Sequence, residues 1–330
     1  MKVLVTGATG AVGPRVVDEL CSAGYQVRTF SLDTLSQGAF PSGVQSLIGD
    51  VTDLNSVQSA MEGISAVVNL AALLHIVNPP PELRKKYERI NVGGTINVID
   101  AAVKAGVKRV ILASTIAIYG PSNGEILNED SNTHPTTFYA ETKLAAEKIV
   151  LNAKCADGLP LGTVLRFGAV YGARIKGNYQ RLIKALARGR FITVGDGSNR
   201  RTLIYDKDLA RAVKLAVSHH AAAGQVFNVT DGRFPTLKQL IAAMSLALGR
   251  IPPRYSLPLK PVRWTVGLLE DVARIMGCQS PIARAMIDKY VEDIAVSGEK
   301  ISRFLGFSAQ YDLASGWRET VEDMRQAGEL

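Results

Sequence analysis

Along the first half of the chain, hydrophobic and polar positions switch between two periods. Short apolar runs at residues 2–5, 26–30, 43–48, 66–70, 107–113 and 162–167 read as strands buried on both faces. Between them, residues 14–20, 55–61, 87–105 and 138–153 repeat apolar positions at helical spacing. Strands alternating with helices predict a parallel, doubly wound sheet with ligands at the carboxyl ends of its strands. Beyond Arg166 the alternation weakens. Residues 178–188 and 237–248 read as helices, and 225–229 as a strand that returns to the sheet. Four prolines between Pro252 and Pro261 then punctuate an irregular connection. Residues 262–276 follow as an amphipathic helix interrupted by Arg263, Glu270, Asp271 and Arg274. Packing within the protein is its expected role, with attachment to a membrane surface as the alternative. The expected fold is therefore α/β, a Rossmann-type sheet with a smaller C-terminal lobe. Residues 1–170 form the dinucleotide-binding domain and residues 171–330 mainly the substrate lobe.

The junction after the first strand carries the first chemistry. Gly7, Gly10 and Gly13 are spaced three apart in Thr6-Gly7-Ala8-Thr9-Gly10-Ala11-Val12-Gly13. One glycine allows a sharp turn, one a close approach of backbone to a pyrophosphate, and one tight packing of helix on strand. The N–H groups that open the following helix then face the phosphates. An ordinary glycine-rich turn is the competing reading, and the position between first strand and first helix disfavours it.

Composition narrows the class. An apolar fraction of 47% and a charged fraction of 21% over 330 residues fit a globular protein with a sizeable core. No window is apolar for long enough to span a bilayer, and the chain enters a strand at once, so no secretory leader is expected. Cys21, Cys155 and Cys278 are widely separated and have no metal-ligand spacing, so neither a metal nor a disulfide framework is expected, and the cytoplasm is. The net charge of +8 is scattered and lacks interleaved aromatics, which points to an anionic small ligand rather than nucleic acid.

Tyr139 and Lys143, at i and i+4, share one helical face. A phenol with its ordinary pKa near 10 is a weak base at neutral pH, and a neighbouring ammonium brings the phenolate within reach. Such a tyrosine can take the proton of a substrate hydroxyl while hydride leaves the same carbon. Thr115, at the end of the strand through residues 110–113, can hold the same oxygen, or merely cap the next segment.

With these motifs the chain resembles the extended short-chain dehydrogenases/reductases, which include sugar-nucleotide epimerases, dehydratases and 3β-hydroxysteroid dehydrogenases. The resemblance runs through TGATGAVG at 6–13, GDVTD at 49–53, NLAA at 69–72, STIAIYG at 114–120 and YAETK at 139–143. It continues in RFGAVYG at 166–172, GDGSNRRTLIYDKDLA at 195–210, FNVTDG at 227–232 and LGF at 305–307. It implies Tyr139 as catalytic base, Lys143 as its electrostatic partner and nicotinamide-ribose ligand, and Thr115 as the hydroxyl partner. Cofactor contacts are implied for Gly7, Thr9, Gly10, Ala11, Val12 and Gly13, for Ser31 at the end of the second strand, for Asp50 and Val51 at the adenine, and for Leu70, Ala71 and Ala72 beside the nicotinamide ribose. A homodimer is implied through the helices at 87–105 and 138–153, which carry more small and apolar residues than one buried stripe requires.

Two departures sharpen the expectation. Relatives that prefer NAD carry an acid where this chain has Ser31, with Asp33 slightly later; Leu32 supplies no cation for a 2′-phosphate. Arg15 and Arg28 are the alternative cations, so NAD is expected and NADP not excluded. Ile116 and Ala117 stand where dehydratases of the family carry acids, which disfavours dehydration. Among substrates, a nucleoside-diphosphate sugar leads, because Asn178 and Arg201 match diphosphate-holding positions and His75 lies near the substrate. The expected activity is a sugar-nucleotide epimerase acting at ring carbon 4; a 3β-hydroxysteroid-type or other alcohol dehydrogenase is the alternative. Lys289 and Arg284 are the nearby candidates for a second phosphate-binding cation.

Overall fold

The computed structural model of the chain describes residues 1–33, 39–74, 76, 79–189, 191–276, 278, 280 and 283–330. The chain begins β1 (Lys2–Thr6), α1 (Gly13–Ser22), β2 (Gln26–Ser31), β3 (Gln45–Ile48), α2 (Leu54–Ala60) and β4 (Ala66–Asn69). It continues through α3 (Leu83–Tyr87), a π-helical turn (Glu88–Gly93), α4 (Gly94–Lys104), β5 (Arg109–Thr115), α5 (Phe138–Asn152), β6 (Gly162–Phe167) and β7 (Ala169–Tyr171). There follow α6 (Asn178–Ala187), β8 (Thr193–Val194), β9 (Leu203–Tyr205), α7 (Asp206–Ser218), β10 (Val226–Val229) and α8 (Leu237–Ala247). The last elements are β11 (Ser256–Leu257), α9 (Leu259–Ile275), α10 (Arg284–Val291), α11 (Glu299–Leu305) and α12 (Leu313–Gln326).

Seven parallel strands form the main sheet in the order β10-β6-β5-β4-β1-β2-β3. Val3, Leu4 and Val5 of β1 are wholly buried at its centre, as an unbroken apolar run requires when helices cover both faces. On one face Val16, Val17 and Leu20 of α1 meet Leu209, Ala212 and Val213 of α7, together with Ile301 and Leu305 of α11. The other face is covered by Val57 of α2, Val98 and Ala102 of α4, and Ala146 and Val150 of α5. A separate apolar cluster joins α6, α8 and α12 through Ile183, Leu240, Met244, Trp317 and Val321.

Register places the site. Thr6 pairs with Phe30 and with Asn69, and Thr115 pairs with Phe167. The carboxyl ends of β1, β2, β4 and β5 therefore open onto one edge of the sheet, where the chemistry-bearing loops emerge.

Three local expectations change. The single helix expected over residues 87–105 is broken by the π-turn at Glu88–Gly93, in which the side chain of Asn91 is buried and bonded to Leu73. The wider turn aims that side chain at the segment after β4, a common use of π-bulges at functional sites. Residues 200–204 read as a strand whose alternation would send only one of Arg200 and Arg201 inward, but both arginines precede β9. Finally, α9 does not sink into the core: only Val266 and Gly267 are buried.

Candidate active site

At the mouth of β1, Gly7 adopts φ +65, and its N–H donates to the Phe30 carbonyl at 2.8 Å. A Cβ at Gly7 would stand 2.7 Å from the Ala71 nitrogen, and one at Gly13 would stand 2.1 Å from the Ala8 carbonyl oxygen. Both glycines are thus required by close approach, Gly7 also by its backbone angle. Helix α1 starts there, with Pro14 in its first turn and no side-chain cap at Val12, so its first N–H groups are left for a ligand. The remaining loop residues, Thr9, Gly10, Ala11 and Val12, complete this turn, with Gly10 N–H donating to the Gly7 carbonyl at 3.0 Å.

Ser31 ends β2 and is buried, accepting a hydrogen bond from the Thr9 N–H at 3.3 Å. Beside it the Thr9 hydroxyl donates to the Asp33 carboxylate at 2.8 Å. The acid absent at position 31 is therefore supplied two residues later and tied to the glycine turn. Neither alternative cation is free. Arg28 is buried and donates to Gln45 and to the carbonyls of Ala60 and Glu62, while Arg15 pairs with Asp206 and Asp323. A carboxylate at this edge suits a ribose hydroxyl and opposes a 2′-phosphate. The Gly7 turn and Asp33 together fit NAD.

Further along the edge, one Asp50 carboxylate oxygen accepts from the Thr52 N–H at 2.8 Å, and Val51 packs against Gly94. The Thr6 hydroxyl donates to Asn69 at 2.6 Å, and the Ala71 N–H donates back to the same hydroxyl at 3.4 Å. Leu70 is anchored through its N–H to the Thr6 carbonyl. Asn91 then holds both polar groups of Leu73 and donates to Thr142 of α5. This chain of bonds ties the segment from Leu70 to Leu73 to α5. His75 lies outside the described residues.

Helix α5 is capped by the Thr137 hydroxyl, which accepts from the Ala140 N–H, and this fixes where Tyr139 emerges. The Tyr139 hydroxyl shares a hydrogen bond with the Thr115 side chain. Thr115 also accepts from the Ala117 N–H at 3.1 Å, so capping the next turn and touching Tyr139 are combined in one hydroxyl. Burial pushes the Tyr139 phenol up to about 12, against the pull of the Thr115 hydrogen bond. The expected lowering by Lys143 is not found, because burial dominates and the lysine Nζ donates to the Ala113 carbonyl at 2.7 Å. Desolvation in turn brings the Lys143 ammonium down to about 8, with Glu147 opposing the shift.

Behind Lys143 stands a buried polar wall not foreseen in the sequence. Glu147, one turn beyond Lys143, accepts from the Ser114 hydroxyl and from two nitrogens of Arg166, the closest at 2.7 Å. Arg166 donates to the Tyr119 hydroxyl at 2.7 Å, and that hydroxyl donates to Asn228 of β10 at 2.9 Å. The wall clamps α5 to β5, β6 and β10. Its available signal was a Glu at i+4 from Lys143 on a face otherwise apolar.

Ahead of β9, Arg201 is buried and its Nη2 donates to the carbonyls of Lys289 and Tyr290. Its Nε and Nη1 have no hydrogen-bond partner among the described residues. Arg200 instead pairs with Asp293, so one arginine of the two turns inward. Asn178 is exposed as the first residue of α6, and Arg201 acts electrostatically on its neighbour Tyr179. Lys289 and Arg284 are not spare cations: Lys289 pairs with Glu292 at 2.6 Å, and Arg284 pairs with Glu270 and Asp271.

This geometry has close relatives. Residues 3–230 match the NAD dependent epimerase/dehydratase family. The chain belongs to that family. One family relative, the N-acetyl-alpha-D-glucosaminyl-diphospho-ditrans,octacis-undecaprenol 4-epimerase of Escherichia coli O157:H7, is 30% identical over 97% of this chain and 94% of its own length. A second, a 3 beta-hydroxysteroid dehydrogenase/Delta 5-->4-isomerase of Mycobacterium tuberculosis, is 27% identical over 93% of this chain and 85% of its own. Among solved structures, MoeE5 in complex with UDP-glucose and NAD is 28% identical with a TM-score of 0.77, covering 99% of each chain.

Proposed function

We propose that the protein is an NAD-dependent 4-epimerase of a diphosphate-linked sugar, in the first place a nucleoside-diphosphate sugar. The Tyr139–Thr115 hydrogen bond, set beside the glycine turn with Lys143 one helical turn away, carries this reading. When bound, NAD supplies a reversible acceptor for the hydride of the hydroxyl-bearing carbon. Tyr139 takes the hydroxyl proton, and Thr115 holds the oxygen as it becomes a carbonyl. Lys143, fixed by the Ala113 carbonyl, orients the ribose beside Tyr139. Arg201, preorganised by two backbone carbonyls, holds the diphosphate from its free edge, with Asn178 alongside in the lobe of residues 171–330. A sugar anchored by its diphosphate can turn over about that anchor, and Tyr139 returns the proton at the end.

MoeE5 carries a nucleoside beyond the diphosphate, and the Escherichia relative a polyprenol. Both share the diphosphate that Arg201 is proposed to bind. Incubation with UDP-glucose and NAD, followed by proton NMR, is expected to show the 4-epimer without net NADH. Accumulation of NADH with a 3β-hydroxysteroid, with no epimer from any diphosphate sugar, would instead establish the alcohol-dehydrogenase reading suggested by the Mycobacterium relative.

A homodimer through α4 and α5 accompanies this reading, supported by Ile96 and Val103 standing exposed on α4. The cytoplasm is the proposed compartment, in keeping with three free cysteines.

A further inference from the structure

Helix α9 is turned inside out. Its buried flank is Val266 and Gly267, and a Cβ at Gly267 would stand 2.4 Å from Arg284 Nε of α10. On that polar side Arg284 pairs with Glu270 and Asp271, and Arg263 pairs with Asp288. The apolar stripe faces outward: Trp264, Leu268, Val272 and Ile275 follow one another at helical spacing and are 67%, 45%, 51% and 85% exposed. Leu269 and Met276 widen the stripe, and Tyr255 and Leu257 extend it ahead of the helix. A contiguous exposed apolar patch of this kind marks an interaction site rather than ordinary surface.

The surroundings choose the partner. Residues 250–289 hold seven basic side chains against three acidic ones, half of the chain's net charge of +8. All three acids are already paired with arginines, whereas Arg254 and Lys260 have no ion pair among the described residues. A cleft of about 410 Å³ between α9 and α10 is lined by Lys260, Arg263, Arg284 and Asp271 beside Trp264 and Leu268. Cations, a tryptophan and an apolar stripe on one helix match the boundary between anionic headgroups and acyl chains. No helix among the described residues is long and apolar enough to cross a membrane, so the contact is peripheral.

We propose that α9 lies in the surface of an anionic phospholipid bilayer, with its Trp264–Ile275 stripe among the acyl chains and Arg254 and Lys260 on lipid phosphates. This goes beyond the proposed activity and does not depend on which diphosphate-linked sugar is turned over. The docked face adjoins the proposed diphosphate anchor, because α10 also supplies the carbonyls that hold Arg201.

The two tryptophans provide the probe: Trp317 is 1% exposed and already apolar in its surroundings, so a change on docking reports Trp264. The full chain is mixed with vesicles of phosphatidylcholine alone, or with about one-third phosphatidylglycerol, and followed by co-sedimentation and tryptophan emission. The expected result is a blue shift with at least about tenfold tighter binding to the anionic vesicles, weakened by salt. Leu268→Gln with Val272→Gln is expected to lower binding by about tenfold or more while epimer formation from soluble UDP-glucose is unchanged, which also shows that the variant folds. Arg254→Glu with Lys260→Glu is expected to abolish the preference for phosphatidylglycerol. Equal binding of wild type and the glutamine variant, or no binding of wild type to anionic vesicles, overturns the proposal. A shift of the glutamine variant to a smaller oligomer by light scattering also overturns it, since the stripe would then be a contact between copies of the chain.

Discussion

The wall behind α5 and the α9–α10 hairpin are both built from arginine–carboxylate pairs, in opposite surroundings. The side chains of Arg166 and Glu147 are 7% and 1% exposed, whereas those of Arg263 and Asp288 are 51% and 50% exposed. In the wall every charge is bonded several times, and removing one partner strands the other in a low dielectric. At the hairpin, water screens the same pairing and replaces a lost partner at little cost. The difference separates two uses of charge. The wall fixes the position of Tyr139 and Lys143 to the sheet, and the hairpin leaves its apolar stripe accessible to something outside the chain.

The sharpest way to break this comparison is Glu147→Ala. It is expected to destabilise the fold by about 3–5 kcal/mol in urea unfolding, because Arg166 loses its counter-charge. A loss as small as that of a surface pair would deny the wall its clamping role.

Lys143 tests the same burial by pH. Its folded value near 8 lies below the ordinary 10.5, so between these values the folded state binds fewer protons than the unfolded state. Stability from this group therefore rises with pH through that window, and the cost of the buried charge is fully present below 8. The stability of Lys143→Met relative to wild type should accordingly fall by up to about 3 kcal/mol from neutrality to the top of the window. A flat difference in urea midpoints would mean that the ammonium is solvated.

Tyr139→Phe is expected to leave Tm and NAD binding nearly intact and to slow turnover by roughly a hundredfold or more. Rates near wild type would take the phenol out of the reaction. Arg201→Ala is expected to weaken UDP binding by about 2 kcal/mol in calorimetry, and to spare NAD, whose proposed place is the Gly7–Gly13 turn. Equal weakening of both ligands would point to collapse of the α10 carbonyl cradle. The smallest effect belongs to the hairpin: Asp288→Ala should move Tm by no more than about 2 °C.

Much of this protein was legible in its order of residues. Alternating periods defined the parallel sheet, and glycine spacing marked the dinucleotide turn, since only glycine satisfies a φ of +65 against the Ala71 backbone. The Tyr139–Lys143 spacing likewise follows from helical geometry alone. Local patterns of this sort suffice wherever the cause lies within a few residues. The sequence could not show that Asp33 joins Ser31 in bonding to Thr9 of the glycine turn, because that depends on how the chain leaves β2. Nor could it join Glu147, Arg166, Tyr119 and Asn228, which come from four parts of the chain and meet only when β5, β6, β10 and α5 are packed. The helix at α9 is the clearest case. Its amphipathic pattern was visible, but which flank meets the protein was decided by Arg284 lying against Gly267, and that contact turned the apolar stripe outward. Periodicity specifies that a helix has two faces; only the packed neighbours determine which of them is covered.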